Sequence, residues 1–376
     1  MKDLLELRKE IDRIDRQMVE LFEERMDVCQ QVAEYKIQAA TKVLDRKREQ
    51  EKLEAVKALA HNEFNAHGVQ ELFQQIMAMS RKLQYQLLEA HGAKGRFPFV
   101  MVDEIDRKDV RVVYQGVEGA YSHQAMQEYF GEDVSCFHVD SWREAMVAIE
   151  EGMADYAVLP IENSTAGIVS DIYDLLVEFD NYIVAEKIIT INHALMGLPE
   201  AELSHIQTVY SHPQGLIQCN RFLREHPGWK QISEANTALA AQKVLKDQDK
   251  SQAAIASVTA AKVHGLKVLQ EHVNDSDTNS TRFIVVTNQK MYSRDANKVS
   301  ICFELPHESG SLYNVLSHFI YNGLNMSRIE SRPITGRNWE YHFFVDFEGN
   351  LNDSAVKNAL RGIKEEALNL KILGNY

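Results

Sequence analysis

Between Leu4 and Tyr35 the apolar residues fall at Leu4, Leu7, Ile11, Ile14, Met18, Leu21, Val28, Val32 and Tyr35. Most separations alternate between three and four, the seam pattern of a long packed helix. The pattern predicts one unbroken helix of about 37 residues, or ~55 Å at 1.5 Å per residue. That is longer than a domain of about 90 residues is wide. Two shorter helices cannot cover such a stripe, so a second copy is expected to, in a two-fold homodimer or a higher even oligomer. The stretch "LDRKREQEKL" opens a second helix, in which Asp45, Arg48 and Glu49 share the face that continues through Leu53 and Val56. A third carries Val69, Leu72, Phe73, Ile76, Leu83 and Leu87.

The texture changes at "HGAKGRFPF" (His91 to Phe99), which predicts a linker over 91–108. From 109 to 287, short β-rich runs alternate with helical patterns: "VRVVYQG", "SCFHV", "DYAVLP", "IQTVYS", "AAIAS" and "RFIVV". That rhythm predicts an α/β domain. After a second break, "TNQKMYSRDAN", residues 297–376 read strand, helix, strand, strand, helix, strand, a ferredoxin-like α+β order. The chain is therefore expected to be multidomain: all-α over 1–90, α/β over 109–287, α+β over 297–376.

Charge and composition narrow the function. A net charge of −14 disfavours nonspecific nucleic-acid binding. No apolar run approaches the ~18 residues of a membrane span, and the charged N-terminus has no signal-peptide core. Cys29, Cys136, Cys219 and Cys302 are scattered without a C-x-x-C, which predicts a reduced, cytoplasmic protein. The histidines show no metal-ligand spacing, so no metal is expected.

Polar residues interrupt every helical stripe. Arg25 takes a seam position between Leu21 and Val28. Lys36 lies eleven residues on, about three turns plus 20° at 100° per residue, on the same face. Ser80 falls on the third helix's stripe and Gln84 one turn later. Repeated interruptions of this kind predict a buried, cation-rich pocket suited to a small dianion.

Over residues 1–90 the chain resembles the all-helical type of chorismate mutase. Arg8 in "LRKEID", Arg25 in "EERM", Lys36 in "AEYK", Asp45, Arg48 and Glu49 in "DRKRE", and Ser80 and Gln84 in "MSRKLQ" match that family's active-site positions. The resemblance implies a Claisen rearrangement of chorismate to prephenate, without a covalent step. Arg8, Arg25 and Arg48 would hold the two carboxylates, with Arg8 reaching across from the dimer partner. Lys36 and Gln84 would donate to the ether oxygen. Glu49 and Asp45 would hold the hydroxyl end and orient cations.

The α/β region offers polar groups where strands end. "VVYQG" runs into "VEGAYSHQAMQEYF", where Gly116 and Gly119 allow a tight turn and Ser122 can cap the next helix. A third glycine is missing, so a dinucleotide fingerprint is rejected. Asn163, Ser164 and Thr165 are expected at a helix start after "DYAVLP", and "YSHPQG" brings His212 and Gln214. Without a G-x-S-x-G elbow, Ser280 and Thr281 are better hydrogen-bond donors than nucleophiles. The motifs "GAYSH", "PIENSTAG", "SHPQ" and "NSTRF" resemble prephenate dehydratase, with Thr281 at the catalytic threonine position. The resemblance implies a two-lobed, periplasmic-binding-protein-like fold with a cleft site. Lobe one would span about 109–190 and 268–287, and lobe two 191–267. Thr281 would assist loss of the ring hydroxyl, with Glu162 or His212 as alternatives for a further helper. Asn163, Ser164, Thr165 and Arg282 would bind the carboxylates and carbonyl, with His212 and Gln214 nearby.

The last unit resembles an ACT-type regulatory domain through "SGSLYNVL" and "ESRP". Ser311 stands where alanine is common and Tyr313 where valine is. The resemblance implies L-phenylalanine as effector, at Gly310, Leu312, Glu330, Ser331, Arg332 and Pro333. The domain order resembles that of the bifunctional mutase–dehydratases of phenylalanine biosynthesis, which need no cofactor. The alternative is a mutase fused to an inactive ligand-sensing α/β module.

Overall fold

A computed structural model describes residues 3–39, 41–91 and 97–376; residues 92–96 of the expected linker lie outside the described residues. The chain forms two compact units, Met1–Pro98 with Asn297–Ile372, and Phe99–Ala296 with Leu373–Tyr376.

The first unit begins with α1 (Leu4–Gln38), α2 (Arg46–Ala58) and α3 (Glu63–Ala90). Asp45 caps α2, its carboxylate accepting from Arg48 N at 3.0 Å. α1 and α2 both pack on α3, yet the α1 stripe stays open. Exposure runs from 40% at Val32 to 70% at Tyr35, and of the described α1 residues only Ala33 is buried. A monomer does not cover this seam.

The same unit holds β14 (Lys298–Glu304), α11 (Ser311–Tyr321), β15 (Met326–Pro333), β16 (Tyr341–Glu348), α12 (Ser354–Glu366) and the start of β17 (Leu368–Asn375). This is the expected βαββαβ order. The strands run β15-β16-β14-β17, with β15 at the edge. α11 and α12 pack together, and both touch α3. Gly362 of α12 leaves room for the buried His318 ring of α11; a Cβ there would lie 2.2 Å from a ring carbon.

The second unit starts with β1 (Val100–Val102), β2 (Arg111–Gln115), α4 (Tyr121–Phe130), β3 (Ser135–Val139), α5 (Trp142–Glu150), β4 (Tyr156–Asn163), β5 (Gly167–Ile168), α6 (Ser170–Glu178) and β6 (Tyr182–Thr190). It continues with β7 (His193–Gly197), β8 (Thr208–Ser211), α7 (Pro213–Gln218), α8 (Asn220–Arg224), β9 (Lys230–Ser233), α9 (Thr237–Asp247), β10 (Gln252–Ser257), α10 (Val258–His264) and β11 (Lys267–Gln270). It closes with β12 (Ser280–Thr287) and β13 (Met291–Ser293). One lobe carries the strand order β6-β12-β4-β2-β3, the other β11-β7-β10-β8-β9. The first crossing falls between Thr190 and His193. The return comes later than expected: β11 still pairs with β7, through Lys267↔Gly197 and Val268↔Met196, so the chain re-enters lobe one after Gln270.

Residues 99–108 of the expected linker, and the second break as far as Ala296, belong to the folded second unit. β1 pairs in parallel with β13, and Ile105 is buried in the lobe-one core, so this unit begins at Phe99 rather than at 109. Among the described residues no helix is long and apolar enough to cross a membrane.

Candidate active sites

In the second unit the ends of β4 and β12 meet. Thr281 stands opposite Asn163 in the antiparallel register. Asn163 is the last residue of β4, not part of a helix start. Its Oδ1 accepts from Thr165 N at 3.0 Å, Ala166 N at 2.8 Å and Thr165 Oγ1 at 2.7 Å. These bonds, with Gly167 at φ +85°, fold a hairpin turn into β5. α6 follows only at Ser170 and has no side-chain cap. Ser122 likewise does not cap α4; it lies inside the first turn and donates to Gln115 O at 2.5 Å.

Because three donors converge on Asn163 Oδ1, the amide cannot be flipped, and its nitrogen must face the other way. That Nδ2 donates to Thr281 Oγ1 at 2.9 Å and Asn279 Oδ1 at 2.9 Å. Behind Thr165, Gln218 Nε2 donates to Thr165 Oγ1 at 3.3 Å. Gln218 Oε1 lies 3.0 Å from His193 Nε2, and His193 Nδ1 lies 3.1 Å from Tyr121 OH. Burial pushes His193 below its ordinary 6.5 and so favours the neutral ring. With the proton on Nε2, the bonds run one way from His193 to Gln218, Thr165, Asn163 and Thr281, while the Tyr121 hydroxyl beside Nδ1 donates to Asn192 O at 3.0 Å. This series of bonds passes from lobe two to lobe one. It ends on a half-buried hydroxyl whose own proton remains available.

Not all expected residues join this set. Ser164 secures the loop, accepting from Ser280 N at 2.9 Å and donating to Thr278 O at 3.3 Å. Arg282 follows Thr281 on the strand and so points to the opposite face. There it pairs with Glu162 and Glu186, each at 3.3 Å, so the structure turns it away from the Thr281 group and holds it between carboxylates. His212 caps α7, accepting from Gln214 N at 3.2 Å. Sequence reasoning missed Tyr121, His193, Gln218 and Asn279. Gln218 was within reach, being one turn beyond Gln214 on α7.

In the first unit, Arg25 of α1 donates to Ser80 of α3 at 2.6 Å. Lys36 donates to Val43 O at 2.5 Å, tying the end of α1 to the loop before α2. Ser80 and Gln84 are buried, and among the described residues Gln84 Oε1 has no hydrogen-bond partner. Arg8, Asp45 and Arg48 are exposed. Glu49 instead meets Arg81, a residue the sequence reading passed over, at 2.5 Å.

Gly310 begins α11 with φ +83°, and Leu312 lines a cavity of about 460 Å³ with Leu305, Pro306, Trp339, Tyr341 and Phe343. Glu330, Ser331, Arg332 and Pro333 form the end of edge strand β15 and do not line it. Tyr313 departs from the common motif for a visible reason: its hydroxyl accepts from Gln75 of α3.

Comparison with known proteins agrees with this division. Residues 7–85 match the family model of chorismate mutase type II, and residues 112–291 that of prephenate dehydratase. The bifunctional chorismate mutase/prephenate dehydratase of Escherichia coli (strain K12) is 33% identical over 381 residues, covering 99% of this chain and 96% of the relative. That of Aquifex aeolicus (strain VF5) is 32% identical over 381 residues, covering 100% and 98%. The prephenate dehydratase of Arthrobacter aurescens, solved in complex with L-Phe, superposes with a TM-score of 0.66 at 31% identity, covering 71% of this chain and 89% of that one. The chain belongs to the bifunctional chorismate mutase/prephenate dehydratase family.

Proposed function

We propose that the two activities of this chain reside in two separate sites, one in the α1–α3 helices and one where β4 meets β12. The chain rearranges chorismate to prephenate and converts prephenate to phenylpyruvate. For the first step, Arg25, Arg48 and a second copy's Arg8 hold the carboxylates. Lys36 and Gln84 donate to the ether oxygen as its bond breaks. Arginine suits the carboxylates because its fork is planar and permanently charged. Ser80 fixes Arg25, Asp45 fixes the start of α2, and Glu49 takes the hydroxyl end.

For the second step, the ring carboxylate leaves as CO₂, and its electron pair enters the ring and expels the hydroxyl. Hydroxide is a poor leaving group and must receive a hydrogen bond, then a proton, to depart as water. Thr281 supplies the hydrogen bond. The observation that carries this reading is the Asn163–Thr281 contact, because an amide that donates to Thr281 Oγ1 leaves the hydroxyl proton for the substrate. Thr165 and Gln218 hold the amide in that sense, and Arg282 acts by fixing the strand.

L-phenylalanine is assigned to the regulatory region, at the apolar cavity beside Leu312 and Trp339. The exposed α1 seam supports an even oligomer, and four free cysteines support a cytoplasmic location. The test supplies purified protein with prephenate alone and follows phenylpyruvate, with and without L-phenylalanine, in wild type and Thr281→Ala. Formation by wild type only, slowed by phenylalanine, is expected. No phenylpyruvate from folded wild type would leave a mutase joined to a binding module.

A further inference from the structure

One buried arginine joins the helical region to the regulatory region. Arg81 follows Ser80 on α3, and its side chain is 9% exposed. Nη1 donates to Glu49 Oε2 at 2.5 Å, and Nη2 to Glu366 Oε1, at the end of α12, at 2.9 Å. The fork thus spans two carboxylates from different regions instead of gripping one. Burial alone would disfavour the charge, but the two carboxylates more than offset it and hold Arg81 protonated. Glu366 also meets His318 Nε2 at 3.1 Å, and Gly362 leaves that ring its place. Around this line the docking is polar: Arg46 donates to Glu365 O and Glu366 O, and Tyr85 to Glu365 Oε2. A cavity of about 220 Å³ borders Glu49, Arg81, Glu366, Ser311 and Asn314, so the carboxylates can shift without unpacking a core.

We propose that Arg81 is a positioning residue of the chorismate rearrangement, holding Glu49 with one end of its guanidinium while the regulatory region's Glu366 holds the other. The docked end of α12 thereby sets where Glu49 stands. His318 sits on α11, whose first turn forms the wall of the Leu312 cavity. The line Glu49–Arg81–Glu366–His318 therefore connects a mutase residue to the effector loop through contacts that exist in one chain. The inference rests on Glu49 being a mutase residue, as proposed above.

The test measures mutase kcat and KM with chorismate, and dehydratase kcat with prephenate, in full-length Arg81→Gln, Arg81→Lys, Glu366→Gln, Glu49→Gln and the Arg81→Gln/Glu366→Gln double variant. Arg81→Gln should lower mutase kcat on the order of 10–100-fold while KM moves less than about threefold, because a displaced group costs rate more than binding. Arg81→Lys should recover only part, since one ammonium cannot span both carboxylates. Glu366→Gln, which touches no substrate, should lower mutase kcat by about threefold or more, and the double variant should match Arg81→Gln alone. Dehydratase kcat should stay within about twofold throughout, which also reports that the chain has folded. Additive effects in the double variant, or an unchanged Arg81→Gln beside an impaired Glu49→Gln, would overturn this inference alone. An unchanged Glu49→Gln would overturn the reading of Glu49 and this inference with it.

Discussion

Thr281 and Asn163 face each other across β12 and β4, and the Asn163 amide donates to the Thr281 hydroxyl oxygen at 2.9 Å. The direction of that bond matters more than its length. An aspartate at 163 is nearly the same shape but can only accept, so Thr281 would turn its proton inward. Asn163→Asp is therefore expected to lower dehydratase kcat on the order of 10²–10³-fold, the usual loss of one aimed donor. Thr281→Val should lose at least as much, and Thr281→Ser should keep most activity. Phenylpyruvate formation from prephenate reads all three, with mutase activity on chorismate as the control. An active Asn163→Asp would show that Thr281 is not oriented by residue 163.

Acid should weaken the second unit before it touches the carboxylates. Burial lowers the pKa of His123, His193 and His212 below the ordinary 6.5. Each is then protonated more readily in the unfolded chain than in the fold. Unfolded protein binds more protons in the interval between the folded value and 6.5, so stability rises with pH there. The contribution is fully present above 6.5 and is lost as pH falls from 6.5 through the folded values. Urea midpoints between pH 7.5 and 5.5 should fall on acidification, and dehydratase activity with them, as a charged His193 ring disturbs the bonds through Gln218. A midpoint that rises or stays flat over that range would contradict the neutral ring.

How much of this was legible in the chain depended on the kind of force involved. Helix and strand order followed from apolar periodicity, because burial acts on side chains one by one. The βαββαβ order of residues 297–376 is the clearest case. Placing Asn163 at a helix start failed because its side chain closes a turn on its own backbone, and such local bonds have no periodicity. The ion pairs of Arg282 were hidden for a different reason. Its carboxylate partners, Glu162 and Glu186, lie on neighbouring strands, and only register reveals them. The same holds for Arg81, whose partners are 32 and 285 residues away.

Gly362 offers a test of packing. A methyl group at that position would lie 2.2 Å from a ring carbon of His318 and 2.3 Å from Nδ1, so ring or helix must move. Gly362→Ala is expected to destabilise the first unit by about 1–3 kcal/mol despite the better helix propensity of alanine. Thermal unfolding followed by helical circular dichroism would show a lowered midpoint. An unchanged or raised midpoint would mean that the α11–α12 contact is loose enough to repack.

The open seam of α1 leads to a prediction that separates one chain from two. Ile11 is 56% exposed, Ile14 43% and Met18 49%, so the described residues leave that face of the helix open. If a second copy lies there and lends its Arg8, each mutase site takes Lys36 from one chain and Arg8 from the other. Arg8→Ala and Lys36→Ala should then each lose mutase activity alone and keep dehydratase activity. Subunit exchange between the two variants should restore about a quarter of the sites, because half the dimers are mixed and each mixed dimer holds one intact site. If all residues came from one chain, mixing would restore nothing. The charge variant Ile14→Lys completes the test: it should yield monomers in sedimentation, and exchange with any partner should then fail to rescue mutase activity while phenylpyruvate still forms from prephenate.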